Sequence, residues 1–150
     1  MKCSIYIATS ADGYIAKKHG EIDWLETAGQ PEGASIEPPD MGFSRYLATV
    51  DCMVMGRKTM EKIASFSLSP ENWPYTGLRV FALSKNLTEA PPQLEDRVEI
   101  FSGEIPSLVS RLEAEGYQHA YVDGGQTITA FLNLGLINEM TLTRVPTLLG

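Results

Sequence analysis

Three runs of small, hydroxyl-bearing and basic residues follow apolar stretches of the chain and have the composition of a phosphate-binding site. They are Gly56-Arg57-Lys58-Thr59, Ser84-Lys85 and Gly124-Gly125-Gln126-Thr127. Each follows a run with the apolar character of a buried β-strand. In an open α/β sheet the carboxyl ends of parallel strands line one crevice, and ligands bind there. Three such strand ends in one chain therefore predict a site for a nucleotide cofactor.

The run from Gly56 to Thr59 combines an accessible backbone with positive charge. A glycine lets the backbone approach a ligand oxygen closely, and the N-terminus of the following helix offers free N–H groups to an anion. Thr59 adds a hydroxyl donor, while Arg57 and Lys58 supply charge. The alternative is an ordinary strand–helix turn whose basic residues are solvated.

The two other runs suit other phosphates of a nucleotide. Two glycines between a strand and a helix, as in Gly124-Gly125-Gln126-Thr127, place a pyrophosphate against the helix N-terminus. This run is not the G-x-G-x-x-G fingerprint, which disfavours an ordinary Rossmann domain. Its alternative interpretation is a tight turn with positive φ. Ser84 and Lys85 offer a hydroxyl and an ammonium group to a 2′-phosphate, whose dianion must be neutralised and hydrogen-bonded.

Asp40 is the candidate catalytic acid, and Trp24, Asp40 and Phe43 are the candidate substrate-binding residues. Asp40 follows two prolines and opens a helix-like stretch. Burial of its carboxyl group beside Phe43 and Trp24 would raise the pKa, so that it could bind or protonate a nitrogen heterocycle. The alternative is a helix N-cap, which the preceding prolines favour. His19 and His119 stand alone in the sequence and receive no role.

Composition limits the class of protein. The 150-residue chain has the length of one domain with a substantial core. Its net charge of −7 argues against nucleic-acid binding, which needs a basic face. A local Arg/Lys cluster can still attract a small anion.

The cysteines and the N-terminus indicate where the protein resides. Cys3 and Cys52 lie in apolar runs and are expected to be buried free thiols. No zinc-type Cys/His spacing occurs, so no bound metal is expected. The first apolar run is too short for a signal peptide, and no stretch could span a membrane. The protein is therefore expected to be cytoplasmic, with no membrane partner.

Strand and helix signals alternate along the chain. Strands are predicted within residues 3–9, 50–55, 78–83, 98–101, 119–122 and 139–145. Helices are predicted from Asp40, over 59–64, between Pro106 and Gly116, and from the glycine pair to Gly135. Residues 26–39 and 65–77 are predicted to be irregular loops. This order predicts an α/β fold, a three-layer α/β/α sandwich with a mostly parallel mixed sheet, in one domain over 1–150.

Five segments, taken in order, resemble the dihydrofolate reductase superfamily. They are Ser10 to Ala16, Asp23-Trp24, Val54 to Thr59 with Glu61, Leu83 to Lys85, and Val122 to Gly125. The S-x-D-G-x-I-A start is more similar to the reductase domain of bacterial bifunctional riboflavin-biosynthesis deaminase-reductases than to the folate enzymes. The resemblance covers nearly the whole chain and implies a dihydrofolate reductase-like fold.

The resemblance implies an NADPH-dependent reductase of a pyrimidine- or pterin-type substrate. The most similar activity is that of 5-amino-6-(5-phosphoribosylamino)uracil reductase in riboflavin biosynthesis. Gly56, Arg57, Lys58 and Thr59 would hold the phosphates. Ser84 and Lys85 would approach the adenosine 2′-phosphate, and the run from Gly124 to Thr127 would hold the pyrophosphate. Ala8, Ile15 and Ala16 would flank the nicotinamide. Asp40 precedes Gly56 by the same offset as the substrate-binding carboxylate precedes the glycine of folate enzymes.

Departures from the family pattern keep other functions open. Asp23-Trp24-Leu25 stands roughly where folate enzymes have Trp-x-x-Pro, which puts dihydrofolate in doubt as the substrate. The H-x-E…P-C-x-x-C zinc deaminase signature is absent, so a lone reductase is expected. The alternatives are a dihydrofolate reductase, a non-catalytic nucleotide-binding protein on this fold, or a structural dimer subunit with a vestigial crevice. Family members usually continue through further strands after Gly150. Either the chain continues there too, or another chain, as in a homodimer, covers the last sheet edge.

Overall fold

The computed structural model describes residues 1–27 and 42–150, and in this part of the chain six strands form one sheet. The strands are β1 (Lys2–Ser10), β2 (Cys52–Gly56), β3 (Arg79–Leu83), β4 (Val98–Phe101), β5 (His119–Asp123) and β6 (Glu139–Val145). Their order is β4-β3-β2-β5-β1-β6, and every described pairing is parallel. The inner strands are nearly continuous apolar runs, because helices cover both faces of a parallel sheet.

Helices connect the strands. They are α1 (Trp24–Thr27), α2 (Phe43–Leu47), α3 (Arg57–Ser65), α4 (Ile105–Ala114) and α5 (Gly125–Asn133), with a short 3₁₀ helix at Pro70–Asn72. As predicted, α4 has Pro106 in its first turn and is followed by Gly116, whose φ is +92°. A proline fits there because the first-turn N–H has no intrahelical acceptor.

Two apolar clusters lie on opposite faces of the sheet. One lies between the sheet and the helices α2 and α3 and includes Tyr46, Met53, Met55, Met60 and Tyr121. The other lies between the sheet and the helices α4 and α5 and includes Ile5, Val54, Leu108, Val122 and Phe131. Alternate residues of each strand thus enter opposite layers, as the period of a strand requires. The α/β class and the three-layer sandwich are confirmed.

The connection pattern creates a crevice between β2 and β5. These strands are neighbours in the sheet, but α3 follows β2 on one face and α5 follows β5 on the other. Neighbouring parallel strands whose connections leave on opposite faces mark the switch point of a doubly wound sheet. The fold therefore places its crevice at Gly56 and Gly124, next to the ends of these strands.

Some element boundaries differ from the prediction. The helix α3 begins at Arg57 rather than Thr59, so both basic residues lie in its first turn. The helix α2 begins at Phe43, with Gly42 as its N-cap at φ +82°, which is later than the predicted start at Asp40. Asp40 itself lies outside the described residues. The short helix α1 extends into the predicted loop 26–39, and the 3₁₀ helix lies within the predicted loop 65–77.

Two further expectations concern the cysteines and membrane-spanning helices. Cys3 and Cys52 are buried and unpaired, as predicted, and burial raises the pKa of both thiols. None of the helices over 1–27 and 42–150 has both the length and the apolar character that crossing a bilayer requires.

Candidate functional site

The N-termini of α3 and α5 meet where β2 and β5 lie side by side. Met55 of β2 is paired with Asp123 of β5. The residue after each of them, Gly56 or Gly124, is the N-cap of the helix that follows. Neither N-cap forms a side-chain hydrogen bond with its helix in the described structure. The first-turn N–H groups of two helices are therefore directed toward one place, which is the arrangement that binds an anion.

Close contacts explain why both N-cap residues are glycines. A Cβ atom on Gly56 would lie 2.7 Å from Thr127 Oγ1, and a Cβ atom on Gly124 would lie 2.6 Å from Thr59 Oγ1. Gly124 also has a φ of +97°, which residues with a side chain rarely adopt. The tight turn considered as an alternative is therefore present. It is compatible with phosphate binding, because the first-turn N–H groups of both helices have no intrahelical acceptor.

The first turn of α3 supplies charge to this place. Lys58 and Thr59 both line the cleft described below. Arg57 does not line it. Its Nε lies 2.6 Å from Glu61 Oε1, one helical turn away. Exposed pairs at this spacing contribute only about 0.3–0.5 kcal/mol, so Arg57 can exchange Glu61 for a ligand at little cost.

Ser84 and Lys85 lie at the same edge of the sheet, beside the start of α3. Leu83 is paired with Gly56, and Ser84 follows directly. The Ser84 hydroxyl accepts hydrogen bonds from two backbone N–H groups of the following turn, at 3.3 and 3.1 Å. Among the described residues no acceptor takes its own proton, which can therefore be donated to a ligand. Lys85 Nζ lies 3.4 Å from Glu104 Oε1, and both side chains are exposed. The three predicted runs thus lie along one edge of the sheet.

The loop after β1, residues 11–23, closes the cleft from the other side. Ile15 and Ala16 line the cleft. A Cβ atom on Gly125 would lie 3.0 Å from Ile15 Cδ1, so this side chain packs against the start of α5. Lys62 Nζ donates to the Gly20 carbonyl oxygen, at 2.6 Å, which joins the loop to α3.

The cleft between these elements has a volume of about 380 Å³ and lies on the α2/α3 face of the sheet. Tyr6, Ala8 and Tyr121 form its floor, and Ile63 of α3 and its C-cap residue Phe66 form a wall. Mostly apolar and aromatic walls with a few polar groups are typical of sites for small organic molecules. Of the predicted cofactor residues, those that line the cleft are Ala8, Ile15, Ala16, Lys58, Thr59, Gly124 and Gly125. Gln126 is exposed and Thr127 is buried at the helix contact.

Asp123 contributes a carboxyl group to this cleft, although no role was predicted for it from the sequence. Its Oδ1 accepts the N–H of Gly124, at 2.9 Å. Burial raises the pKa of this carboxyl, and the hydrogen bond from Gly124 opposes the effect of burial without cancelling it. A signal was present in the sequence, because Asp123 is a lone acid between an apolar strand and a glycine pair.

Two tyrosines share the cleft with Asp123. Burial raises the pKa of Tyr75 and of Tyr121, and the nearby Asp123 carboxyl raises both further. Both phenols therefore hold their protons at neutral pH. The cleft offers a substrate neutral hydroxyl donors and one carboxyl group with a raised pKa.

Two of the predicted substrate residues, Trp24 and Phe43, are not part of the cleft lining. The Phe43 ring contacts the rings of Tyr6 and Tyr121, with centroids 5.9 and 6.0 Å apart, so it packs against two residues of the floor. Trp24 is buried, and its Nε1 has no hydrogen-bond partner among the described residues. Asp40 lies outside the described residues, so its predicted role stays a prediction.

Comparison with known proteins gives relatives over the full length of the chain. A solved structure from Shewanella sp. PV-4, described as a "Putative riboflavin biosynthesis protein", is 41% identical with a TM-score of 0.84, over 100% of this chain and 80% of that one. The uncharacterized protein YwjB of Bacillus subtilis is 32% identical over 99% of this chain and 79% of its own length. Acinetobacter baumannii RibD shares the fold, with 19% identity, a TM-score of 0.68, and coverage of 99% of this chain and 47% of RibD.

The chain belongs to the RibD reductase-domain branch of the dihydrofolate reductase superfamily. A second B. subtilis protein, the uncharacterized YyaP, is 29% identical over 96% of this chain and 74% of its own length. No protein-family model matches the chain. In this chain, the glycine-rich strand ends that carried the resemblance are the turns that bring α3 and α5 together.

Proposed function

We propose that this chain is an NADPH-dependent reductase of a small planar heterocycle of the pyrimidine or pterin type. One observation carries the proposal. Two uncapped helix N-termini converge at the switch point of the sheet, beside an aromatic cleft that contains the Asp123 carboxyl group. The convergence suits a phosphate-bearing coenzyme, and the cleft suits a flat ring. The similarity to the Shewanella protein supports a substrate like 5-amino-6-(5-phosphoribosylamino)uracil.

The residues present fit the phosphates of a dinucleotide. Gly56 packs closely against Thr127, and Gly124 against Thr59. This packing brings the first-turn N–H groups of the two helices together, and such groups bind phosphate oxygens. Lys58 and Thr59 line the cleft at the same turn, so that a cation and a hydroxyl donor reach the same anion. We assign the pyrophosphate to these groups.

The 2′-phosphate is assigned to Ser84 and Lys85, one strand away from the pyrophosphate site. Ser84 has a proton to donate, and within residues 1–27 and 42–150 Lys85 is held only by an exposed contact with Glu104. Salt and solvent weaken such a pair, so a dianionic phosphate competes well for the ammonium group. Because NADH lacks the 2′-phosphate, this assignment predicts that the protein binds NADPH more tightly than NADH.

NADPH, when bound, supplies the hydride; the chain supplies orientation and a proton. Ala8, Ile15 and Ala16 form the part of the cleft next to the glycine turn and are assigned to the nicotinamide. Because burial raises the pKa of Asp123, its carboxyl keeps a proton to higher pH than an ordinary aspartate. Oδ1 accepts from Gly124, so Oδ2 is the atom that holds this proton and donates it to a ring nitrogen of the substrate.

A coenzyme titration followed by a substrate panel tests the proposal. NADPH fluorescence should change on binding to the protein, with a weaker response to NADH. The panel then compares an aminopyrimidine ribosyl phosphate with dihydrofolate, and the former should be reduced faster. Binding without turnover of any heterocycle would favour a non-catalytic nucleotide-binding protein. A cytoplasmic location and a homodimer stay predictions from the sequence.

A further inference from the structure

The Ser10-Ala11-Asp12-Gly13 turn, the first part of the Ser10 to Ala16 segment that carried the family resemblance, does not line the cleft and has no part in the proposed chemistry. The turn is held by several hydrogen bonds. Ser10 is fully buried, its Oγ accepts the N–H of Tyr14 at 2.9 Å, and it donates to Asp12 Oδ1 at 2.5 Å. Ser10 N–H donates to the Tyr14 carbonyl oxygen at 2.8 Å. This bonding sets the direction in which the loop 11–23 leaves β1.

The carboxylate of Asp12 reaches from this turn to the segment that follows β6. Its Oδ2 accepts the backbone N–H of Gly150 at 2.9 Å, and its two oxygens share the N–H of Leu149 at 3.2 and 3.3 Å. The Ala11 N–H donates to the Thr147 carbonyl oxygen at 2.8 Å. These bonds join two parts of the chain that are far apart in sequence, and a carboxylate suits the task because it only accepts hydrogen bonds.

The turn is two residues away from the part of the loop that enters the cleft. Ile15 and Ala16 line the cleft, and Ile15 packs against Gly125 at the start of α5. Tyr14 lies against Gly150, where a Cβ atom would be 2.6 Å from its ring. Whatever fixes residues 12–14 therefore fixes where Ile15 and Ala16 stand in the cleft.

We propose that Asp12 is a positioning residue, which binds the segment 147–150 and so holds Ile15 and Ala16 in the place where the coenzyme's nicotinamide binds. The inference rests on the proposed function for its ligand, but the tether itself does not depend on it. Without the carboxylate, the loop samples other positions. The apparent Kd for the coenzyme then rises, because it equals the intrinsic Kd divided by the fraction of molecules in which the loop is correctly placed.

The variant Asp12→Asn tests this role. An asparagine presents one acceptor oxygen and one NH₂ group, so it cannot accept from both Ser10 and Gly150. Asp12→Glu keeps two acceptor oxygens and is the rescue variant. Asp96→Asn is the matched control, because the Asp96 side chain is 81% exposed and its Oδ1 lies 3.9 Å from Arg97 Nε, at the limit of an ion pair. Thermal unfolding first establishes that each variant folds.

Two readouts are taken on the full chain, amide hydrogen exchange of residues 11–16 and NADPH affinity with the kcat and KM of its oxidation. We expect Asp12→Asn to exchange faster in this loop and to raise the NADPH Kd and KM about tenfold, if the competent fraction falls to about a tenth. The kcat should change less than KM. Asp12→Glu should recover part of the affinity, and Asp96→Asn should match the wild type.

The outcomes separate the two proposals. Wild type that does not bind NADPH overturns the proposed function, and the coenzyme role of Asp12 with it, even if exchange in the loop accelerates. Wild type and Asp12→Asn that bind NADPH equally overturn the positioning role alone. The same holds if exchange accelerates while Kd and KM stay unchanged, because Asp12 would then be a structural tether only.

Discussion

Thr59 of α3 lies directly against Gly124, the N-cap of α5, so that a Cβ atom on the glycine would be 2.6 Å from Thr59 Oγ1. The first turn of one helix is thereby packed on the N-terminus of the other. Since the two helices lie on opposite faces of the sheet, this contact occurs only at the edge where β2 and β5 end. It defines the point at which a coenzyme phosphate would be held.

Gly124→Ala should destabilise the protein and abolish tight coenzyme binding. A side chain at φ +97° costs about 1–2 kcal/mol, and the contact with Thr59 adds about 1–3 kcal/mol. Gly116→Ala is the matched control, because Gly116 has a φ of +92° and nothing within 4 Å of its Cβ position. Chemical denaturation should show the larger loss for Gly124→Ala. Equal losses for the two variants would contradict the close approach.

Gly56 and Thr127 should be coupled in a double-mutant cycle. Gly56→Ala places a methyl group 2.7 Å from Thr127 Oγ1, and overpacking of this kind costs about 1–3 kcal/mol. Thr127→Ala removes Oγ1 and leaves the Cβ atoms at ordinary contact distance. The double variant should therefore lose less free energy of unfolding than the two single variants lose together, with a coupling of about 1 kcal/mol or more. Additive losses in urea unfolding would show that these turns are not packed together.

Asp123→Asn should stabilise the protein at neutral pH and inactivate it. The native pKa of Asp123 lies above its unfolded value. The native state of wild type is therefore most stable with respect to this group below about pH 4, where the carboxyl is neutral in both states. This stability is lost as the pH rises through the native pKa, and a tenfold difference between the native and unfolded acid dissociation constants corresponds to about 1.4 kcal/mol. Asparagine has no charge to desolvate, so the gain over wild type should grow from about pH 4 to pH 7.

Urea unfolding across this pH range measures the effect on stability, and Asp96→Asn provides an exposed acid as the control. Turnover of the best substrate in the panel measures the effect on activity. We expect a loss of about 10²–10⁴-fold in kcat, the range for removal of a general acid. In wild type, kcat/KM should fall as the pH rises through the pKa of Asp123. Full activity of Asp123→Asn would remove this residue from the mechanism.

Lys85→Ala should lower the affinity for NADPH and leave the affinity for NADH nearly unchanged. Loss of one charge-assisted contact to the 2′-phosphate costs about 1.4 kcal/mol, which is tenfold in Kd. Lys18→Ala, which removes an exposed lysine that does not line the cleft, serves as the control. Titration with both coenzymes measures the selectivity ratio. A parallel loss for NADPH and NADH would place the 2′-phosphate elsewhere.

The sequence was sufficient to predict the layers of the fold and the strand ends, because these depend on local patterns. Gly56 and Gly124 follow apolar runs and precede helix signals, and both turn out to be helix N-caps. The sequence predicts the start of α3 two residues late, at Thr59 rather than Arg57. Arg57 and Lys58 are equally compatible with a loop and with the first turn of a helix.

The role of Asp123 could not be found in the same way. Its raised pKa comes from burial in the folded chain. Tyr75, which lines the same cleft, is distant from it in sequence. The tether between Asp12 and Gly150 spans 138 residues and leaves no periodic signal. Contacts of this kind appear only when the register of the sheet is known.

The most direct test of the central claim is a titration of wild-type protein with NADPH, followed by nicotinamide fluorescence, with Gly124→Ala as the variant that blocks the turn. We expect saturable binding to wild type, weaker binding of NADH, and little binding to a folded Gly124→Ala protein. Absence of binding to wild type at millimolar NADPH, or equal binding to both proteins, would contradict the claim that these two helix N-termini hold a phosphorylated coenzyme.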